Sequence, residues 1–477
     1  MENRLMKDFD KQAPESSKKF SRRQFLSTAT AATAFTIVPS FVLGANGQQP
    51  PSDKLNIAAI GAGGMGSGNV DRSKTENIVS LCDVDDERGA GTYRKFPKAS
   101  TYRDYREMLE KEHKNIDAVI VATPDHTHAV AAMACMQLGK HVYVQKPLTH
   151  DIYEARMLTK AAHKYKVQTQ MGNQGHSGEG IRLISEWIQD GAIGPVREVH
   201  AWTDRPIWPQ SVGRIAGSLP VPSTLDWDLW LGTAPFRPFN KGYLPFDWRG
   251  FWDFGTGALG DMACHIIDPA FMALKLGYPT SASASFTRVR LGKRYEDHYL
   301  KLADMNETPP ISSVIHYEFP KRGNMPAVKM HWYDGGMRPE RPAELENGRR
   351  MGDGGNGVIF VGDKGKIMCG CYASNPRIIP EIKMKEYKRP EKTIARIPGG
   401  TGGHEQDWIR ACKDGKPASS NFDYSGPLTE TVLMGNLTMR MDGERIEWDG
   451  ENMKVTNNDA ANDFVQRTYR PGWSLGV

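Results

Sequence analysis

Cysteine is scarce in this chain: six in 477 residues. Cys82, Cys135, Cys264, Cys369, Cys371 and Cys412 include no C-x-x-C pair, which removes the usual zinc and dithiol redox chemistries. All six read as free, mostly buried thiols, and a chain this long builds two or three domain cores without disulfides. A basic stripe is also missing. Lys and Arg number 61 against 56 acidic residues, and the net charge of +5 is scattered rather than blocked; this argues against a nucleic-acid partner. The chain shows no internal repeats, and low-complexity sequence is confined to the N-terminal tail and linker. The apolar run that ends near residue 43 is rich in Ala and Thr and interrupted by Pro39, which disfavours a stable membrane span. With 39% hydrophobic and 25% charged residues, the composition is that of a soluble globular protein.

What is present starts with "SRRQFLSTATAATAFTIVPSFVLGANG" from Ser21. Arg22 and Arg23 are followed by Phe25–Leu26 and a weakly apolar run, the pattern of a twin-arginine export signal. Residues 1–45 are read as that signal and 46–54, polar and Pro-containing, as a linker. This predicts passage through the twin-arginine translocase into the periplasm. The route carries folded proteins, which suits an enzyme that binds a cofactor before leaving the cytoplasm.

Residues 55–175 read as a dinucleotide-binding Rossmann domain. Leu55–Ile60 is a short apolar run, a buried strand. Gly61, Gly63 and Gly66 then give G-x-G-x-x-G, with Gly64 and Met65 inside it. In a glycine-rich chain that triplet is weak alone, but here it follows a strand and precedes a helix. Its backbone can approach a pyrophosphate, and the helix N-terminus supplies N–H donors. A second run, "NIVSLCDVD", ends at Asp83, where a carboxylate can hydrogen-bond an adenosine ribose. An acidic group there repels a ribose phosphate, so NAD is expected over NADP; a simple turn residue is the plain alternative. Alternating strands and helices continue through "AVIVAT", a helix ended by Gly139, and "HVYVQKP". His126 and His128 of "TPDHTH" lack a nearby third ligand, so no metal is expected. Thr123, Pro124 and His128 are instead assigned, with Lys146, to the cofactor.

The glycine triplet, "TPDHTH", "QKP" at 145–147 and "GDMACHIIDP" at 260–269 stand in an order that resembles the Gfo/Idh/MocA family of NAD(P)-dependent oxidoreductases. The resemblance covers almost all of the chain after the signal. It implies an N-terminal Rossmann domain and a C-terminal α/β domain, residues 176–477, with a large, mostly antiparallel open sheet that often packs against another subunit, hence a homo-oligomer. The family's Glu-Lys-Pro lysine matches Lys146, with Gln145 replacing the glutamate. Its Asp-x-x-x-His pair matches Asp261 and His265, with Ala263–Cys264 a departure from the glycine many members carry. Oxidising a hydroxyl needs hydride loss to nicotinamide and proton loss to a base. His265 is assigned as base, Lys146 as the polarising or proton-relay group, and Asp261 as orienter of the imidazole or substrate ligand. Lys146 and His265 could exchange roles. Against this, Asp261 after Gly260 also reads as an ordinary helix N-cap, and Asp268–Pro269 as a second helix start.

Several of the eleven tryptophans cluster between residues 202 and 252, beside Arg and Asp. Aromatic faces among charges suit a carbohydrate site, although they also fill cores. His176, Arg205 and Trp252 are expected to touch substrate. Beyond residue 280, "SASASFTRVR", "SSVIHYEFP", "VKMHWYDGG" and "GVIFVGDKGKIMCG" predict strands, followed by two helical segments. The leading expectation is a periplasmic NAD-dependent oxidoreductase acting on a sugar or glycoside hydroxyl. An NAD-dependent glycoside hydrolase working by transient oxidation and elimination is the alternative; a sugar-binding protein without catalysis is the third.

Overall fold

The structure, a computed structural model, describes residues 53–291, 301–302 and 306–477. The twin-arginine stretch lies outside them. Among the described residues no helix is long and apolar enough to cross a membrane.

The first sheet has six parallel strands: β1 (Asn56–Ile60), β2 (Asn77–Cys82), β3 (Ser100–Tyr102), β4 (Ala118–Val121), β5 (His141–Val144) and β6 (Thr169–Met171). Their order, β3-β2-β1-β4-β5-β6, is that of a doubly wound dinucleotide fold. β4 is buried at every position, as a strand covered on both faces must be. The crossovers carry α1 (Gly64–Arg72), α2 (Asp86–Lys95), α3 (Tyr105–Glu112), α4 (Asp125–Gln137) and α5 (Ile152–Tyr165). Local chemistry sets their ends. Asp85 caps α2 through the Glu87 and Arg88 amides, and Asp151 with Glu154 forms a capping box at α5. Gly139, at φ +72°, follows the end of α4 as the sequence predicts.

The second sheet has nine strands in the order β15-β14-β13-β7-β12-β11-β8-β16-β17. They are β7 (Val196–Trp202), β8 (Ser281–Phe286), β11 (Ser313–Phe319), β12 (Val328–Tyr333), β13 (Gly357–Gly362), β14 (Gly365–Cys369), β15 (Arg377–Ile379), β16 (Ile446–Asp449) and β17 (Lys454–Val455). All adjacent pairs are antiparallel except β7 with β12. The predicted strand "SASASFTRVR" is shorter than read: β8 stops at Phe286, and a separate hairpin of β9 (Arg290–Leu291) and β10 (Lys301–Leu302) follows. β11 alternates buried and half-buried positions, so one face meets the core.

That face carries α6 (Glu179–Gln189), α8 (Gly257–Ile266), α9 (Asp268–Ala273) and α12 (Phe422–Arg440), which pack on one another or on β8. α7 (Trp227–Leu231) and α10 (Glu381–Glu386) lie in connections. α11 (His404–Asp414) returns to the first sheet: Trp408 and Ile409 join Ile57, Ala59, Ile120 and Tyr143 in one buried cluster. Contact between the domain regions is therefore covalently distant but intimate, and α12 packs on both α5 and α8.

Candidate active site

The glycine loop is shaped by exclusion. Gly61 stands at φ +86°, and a Cβ there would lie 2.5 Å from the Ala122 carbonyl oxygen. A Cβ at Gly66 would lie 1.8 Å from the Gly61 oxygen, so only glycine lets α1 start this close to β1. No side chain caps α1 at Gly63, which leaves first-turn N–H groups directed at the loop. This is a cradle for a diphosphate, and Arg88 reaches over it: a Cβ on Gly64 would sit 3.1 Å from Arg88 Nη2.

The cradle opens into a cleft. Gly61, Gly63, Gly64, Met65, Asp83, Thr123, Pro124 and Lys146 line it, while Gly66 lies beneath as packing. Asp83 accepts from Gly63 N at 2.9 Å and from Asp85 N at 3.1 Å. Burial raises its carboxyl above the ordinary value, against the lowering effect of those amides. The opposite wall comes from beyond the first sheet: Leu229 and Trp230 of α7, Leu244, Pro245, Trp248 and Arg249.

Lys146 follows β5 and lines the cleft. Its Nζ donates to Asp261 Oδ1 at 2.6 Å and to the Asp261 carbonyl at 2.8 Å. Arg249 Nε donates to the same Oδ1 at 3.1 Å. Burial alone would raise the Asp261 carboxyl, but the two cations outweigh it and hold it down at about 2. One turn along α8 stands His265, 3% exposed. Burial, then the Lys146 charge, lowers its imidazole to about 3. Its Nδ1 has no hydrogen-bond partner among the described residues. The Tyr372 ring meets it edge to face, centroids 4.8 Å apart. Tyr372 stands in the left-handed region at φ +57°, a conformation that non-glycine residues hold where surroundings enforce it. Asp125, at the start of α4, accepts from Thr256 Oγ1 at 2.7 Å, and burial raises its carboxyl.

Several expectations need correction. Asp261 is not an N-cap: α8 begins at Gly257, after Thr256, and Asp261 sits inside it. Nor does it orient His265, because Lys146 and Arg249 take its carboxylate. His128 does not line the cleft. Its Nδ1 and Nε2 lie 2.9 Å and 2.8 Å from the carbonyls of Pro147 and Thr123, so it ties together two loops that do. His176 is buried with Nδ1 3.0 Å from Asp268 Oδ1; its neighbour Gln174 is the residue that reaches the Tyr372 hydroxyl, at 3.4 Å. Trp252 lines a different cavity, behind α8, with the Arg440 guanidinium 5.4 Å from its ring. Arg205 lies close enough to Tyr372 for its charge to lower that phenol, although burial dominates and raises it to about 12. Sequence reasoning missed Arg249, Trp248 and Tyr372. The first two stand in "FDWRGFWDFG", within the tryptophan-rich stretch of residues 202–252, where an Arg beside a Trp was the available signal. Tyr372 had none.

Comparison with known proteins follows the same division. The profile described as "Oxidoreductase family, NAD-binding Rossmann fold" matches residues 55–173. That described as "Oxidoreductase family, C-terminal alpha/beta domain" matches 205–280. A levoglucosan dehydrogenase of Pseudarthrobacter phenanthrenivorans is 26% identical over 190 residues, 40% of each chain. An alpha-N-acetylgalactosaminidase of Shewanella oneidensis is 25% identical over 201 residues, 36% of this chain and 43% of that one. The matched part thus spans less than half of either relative. Among solved structures, the WlbA dehydrogenase from Bordetella pertussis, in complex with NADH and UDP-GlcNAcA, superposes with a TM-score of 0.55 at 16% identity, covering 83% of this chain and 99% of that one. The likeness there is one of fold. Two profiles of one oxidoreductase family therefore match in order along the chain, the first over the six-stranded sheet and the second over the segment between β7 and β8.

Proposed function

We propose that the protein is a periplasmic NAD-dependent oxidoreductase that moves a hydride between nicotinamide and a hydroxyl-bearing carbon of a sugar or glycoside. One observation carries this reading: a lysine that lines a dinucleotide cleft pairs at 2.6 Å with a carboxylate, and that carboxylate stands one helical turn from a buried neutral histidine. Bound NAD supplies the hydride acceptor. The protein supplies the proton path and the charge. Lys146, paired with Asp261, donates a hydrogen bond to the substrate oxygen and stabilises negative charge developing there. His265, neutral above about 3, accepts the hydroxyl proton. A base that weak suffices because the hydroxyl becomes strongly acidic as hydride leaves. Asp261 serves as partner of Lys146, and Arg249 keeps it ionised. Trp248 lines the cleft, the Tyr372 ring meets His265 and Arg205 lies near Tyr372, a set that suits a sugar's apolar faces and hydroxyls.

Analysis of nucleotide released from the purified, denatured protein tests the cofactor half. NAD in near-stoichiometric amount is expected; its absence in protein taken from its native compartment contradicts a retained cofactor. Asp83→Ser is expected to weaken NAD binding about tenfold or more and to narrow the gap to NADP, since Arg88 and Arg103 line the same stretch of cleft. Nucleotide titration by fluorescence measures both. Replacing Arg22–Arg23 by Lys-Lys is expected to leave the protein in the cytoplasm; unchanged export on cell fractionation would remove the twin-arginine reading.

The alternative is net hydrolysis of a glycoside through transient oxidation and elimination, with the cofactor restored at the end. The similarity to an alpha-N-acetylgalactosaminidase favours it. Aglycone release without lasting NADH distinguishes it from the dehydrogenase.

A further inference from the structure

We propose that Trp473 is a cofactor-binding residue, carried by a C-terminal strap that closes over the adenine end of the dinucleotide. The inference rests on the NAD reading of the cleft and extends it to a segment far from the Rossmann sequence. The polarity of the site follows from the glycine loop and Asp83. A diphosphate on the α1 N-terminus and a ribose on Asp83 leave the adenine to continue past Asp83, toward Val84, Arg103 and Tyr105. All three line the cleft, and so does Trp473. The Trp473 and Tyr105 ring centroids are 6.4 Å apart at 45°, and the Arg106 guanidinium lies 4.6 Å from the Trp473 ring.

The segment that brings the indole there is pinned on both sides of it. Upstream, Arg467 donates to Glu154 Oε1 at 2.8 Å and to the His126 carbonyl at 2.6 Å. Arg470 N donates to the Thr233 carbonyl at 3.0 Å, and the Arg470 side chain to the carbonyls of Gly232 and Asp228 at 3.0 and 2.8 Å. Downstream, Leu475 is buried, and the Gly476 carbonyl accepts from Gln137 Nε2 of α4 at 2.7 Å. Between these anchors Trp473 stays half-buried, an indole held in a cleft rather than sunk in the core. A purine offers it a π-face. Such a strap grips the half of the cofactor that takes no part in hydride transfer, so it slows release without altering the chemistry.

The test measures nucleotide release rather than turnover. Release of NAD from wild type, Trp473→Ala and Trp473→Phe is followed by stopped-flow, alongside equilibrium binding of ADP-ribose and of nicotinamide mononucleotide. Trp473→Ala is expected to release NAD about tenfold to a hundredfold faster and to lose ADP-ribose affinity by a similar factor. Nicotinamide mononucleotide, which lacks adenosine, is expected to bind as before, and Trp473→Phe to restore most of the effect. The melting temperature of the nucleotide-free variants separates a lost ring contact from a lost fold. Unchanged release in Trp473→Ala, or equal losses for both half-cofactors, overturns the proposal alone. Wild-type protein that binds neither NAD nor ADP-ribose overturns it together with the cofactor reading.

Discussion

Lys146→Met is expected to lower kcat by about a thousandfold while NAD still binds and the fold persists. The ammonium is tied to Asp261 by 2.6 Å and 2.8 Å hydrogen bonds in the resting protein, so its charge is fixed where the substrate oxygen must arrive. Preorganised charge of this kind costs no reorganisation during reaction. Methionine keeps the length of the stem and removes the donor. Asp261 then keeps Arg249, at 3.1 Å, as its remaining near cation, and its carboxyl rises from about 2 toward the value burial alone would impose. The expected kinetic signature is loss in kcat with a nearly unchanged NAD dissociation constant. Equal loss in kcat and in NAD affinity would instead make Lys146 a cofactor ligand first.

His265→Asn is the second large effect, a loss between about a hundredfold and ten-thousandfold in kcat/KM. The wild-type pH profile carries its own signature. Burial and the Lys146 charge hold the imidazole at about 3, so His265 is neutral across the ordinary working range. An acid limb in kcat/KM near the unperturbed histidine value of about 6.5 would contradict its assignment. The same shift bears on stability. The unfolded chain takes up a proton at His265 near pH 6.5, whereas the folded chain does so near pH 3. The unfolded state therefore binds more protons in that window, and the stability present above it is lost as pH falls through it. His404, lowered to about 4 by burial, acts in the same direction. His265→Asn should lose less stability than wild type between neutral pH and about pH 4, as read by denaturant titration.

What the sequence disclosed and what it hid divide along physical lines. β1, the glycine loop and Asp83 are local features. A strand, a tight turn and a helix start are written in neighbouring residues, and the cleft forms around them. Lys146, Asp261 and His265 were legible through their motifs and the resemblance those motifs carry. Their pairing was not. Helical spacing puts Asp261 and His265 on one side of α8, yet it says nothing of a lysine 115 positions away that takes the carboxylate. The aromatic loops failed for a similar reason. Trp248 and Trp252 are one helical turn apart in number, but a 3₁₀ turn over Asp247–Gly250 turns Trp248 and Arg249 to the cleft, while Trp252 faces the cavity behind α8. His128 read as a cofactor contact because it opens a helix beside one; its two ring nitrogens met the carbonyls of Thr123 and Pro147 instead. Tyr372 reaches His265 from the turn after β14, a juxtaposition made wholly by tertiary packing.

The central claim is that Lys146 and His265 handle charge and proton while a sugar carbon exchanges hydride with bound nicotinamide. Its most direct test is a single-turnover experiment on NAD-loaded protein, with a panel of glycosides, following NADH absorbance and aglycone release together in wild type, Lys146→Met and His265→Asn. The account predicts an NADH burst with at least one glycoside in wild type and its loss in both variants, with NAD still bound. A burst of undiminished rate in either variant, or no NADH at any time with any glycoside in fully loaded wild type, would contradict it.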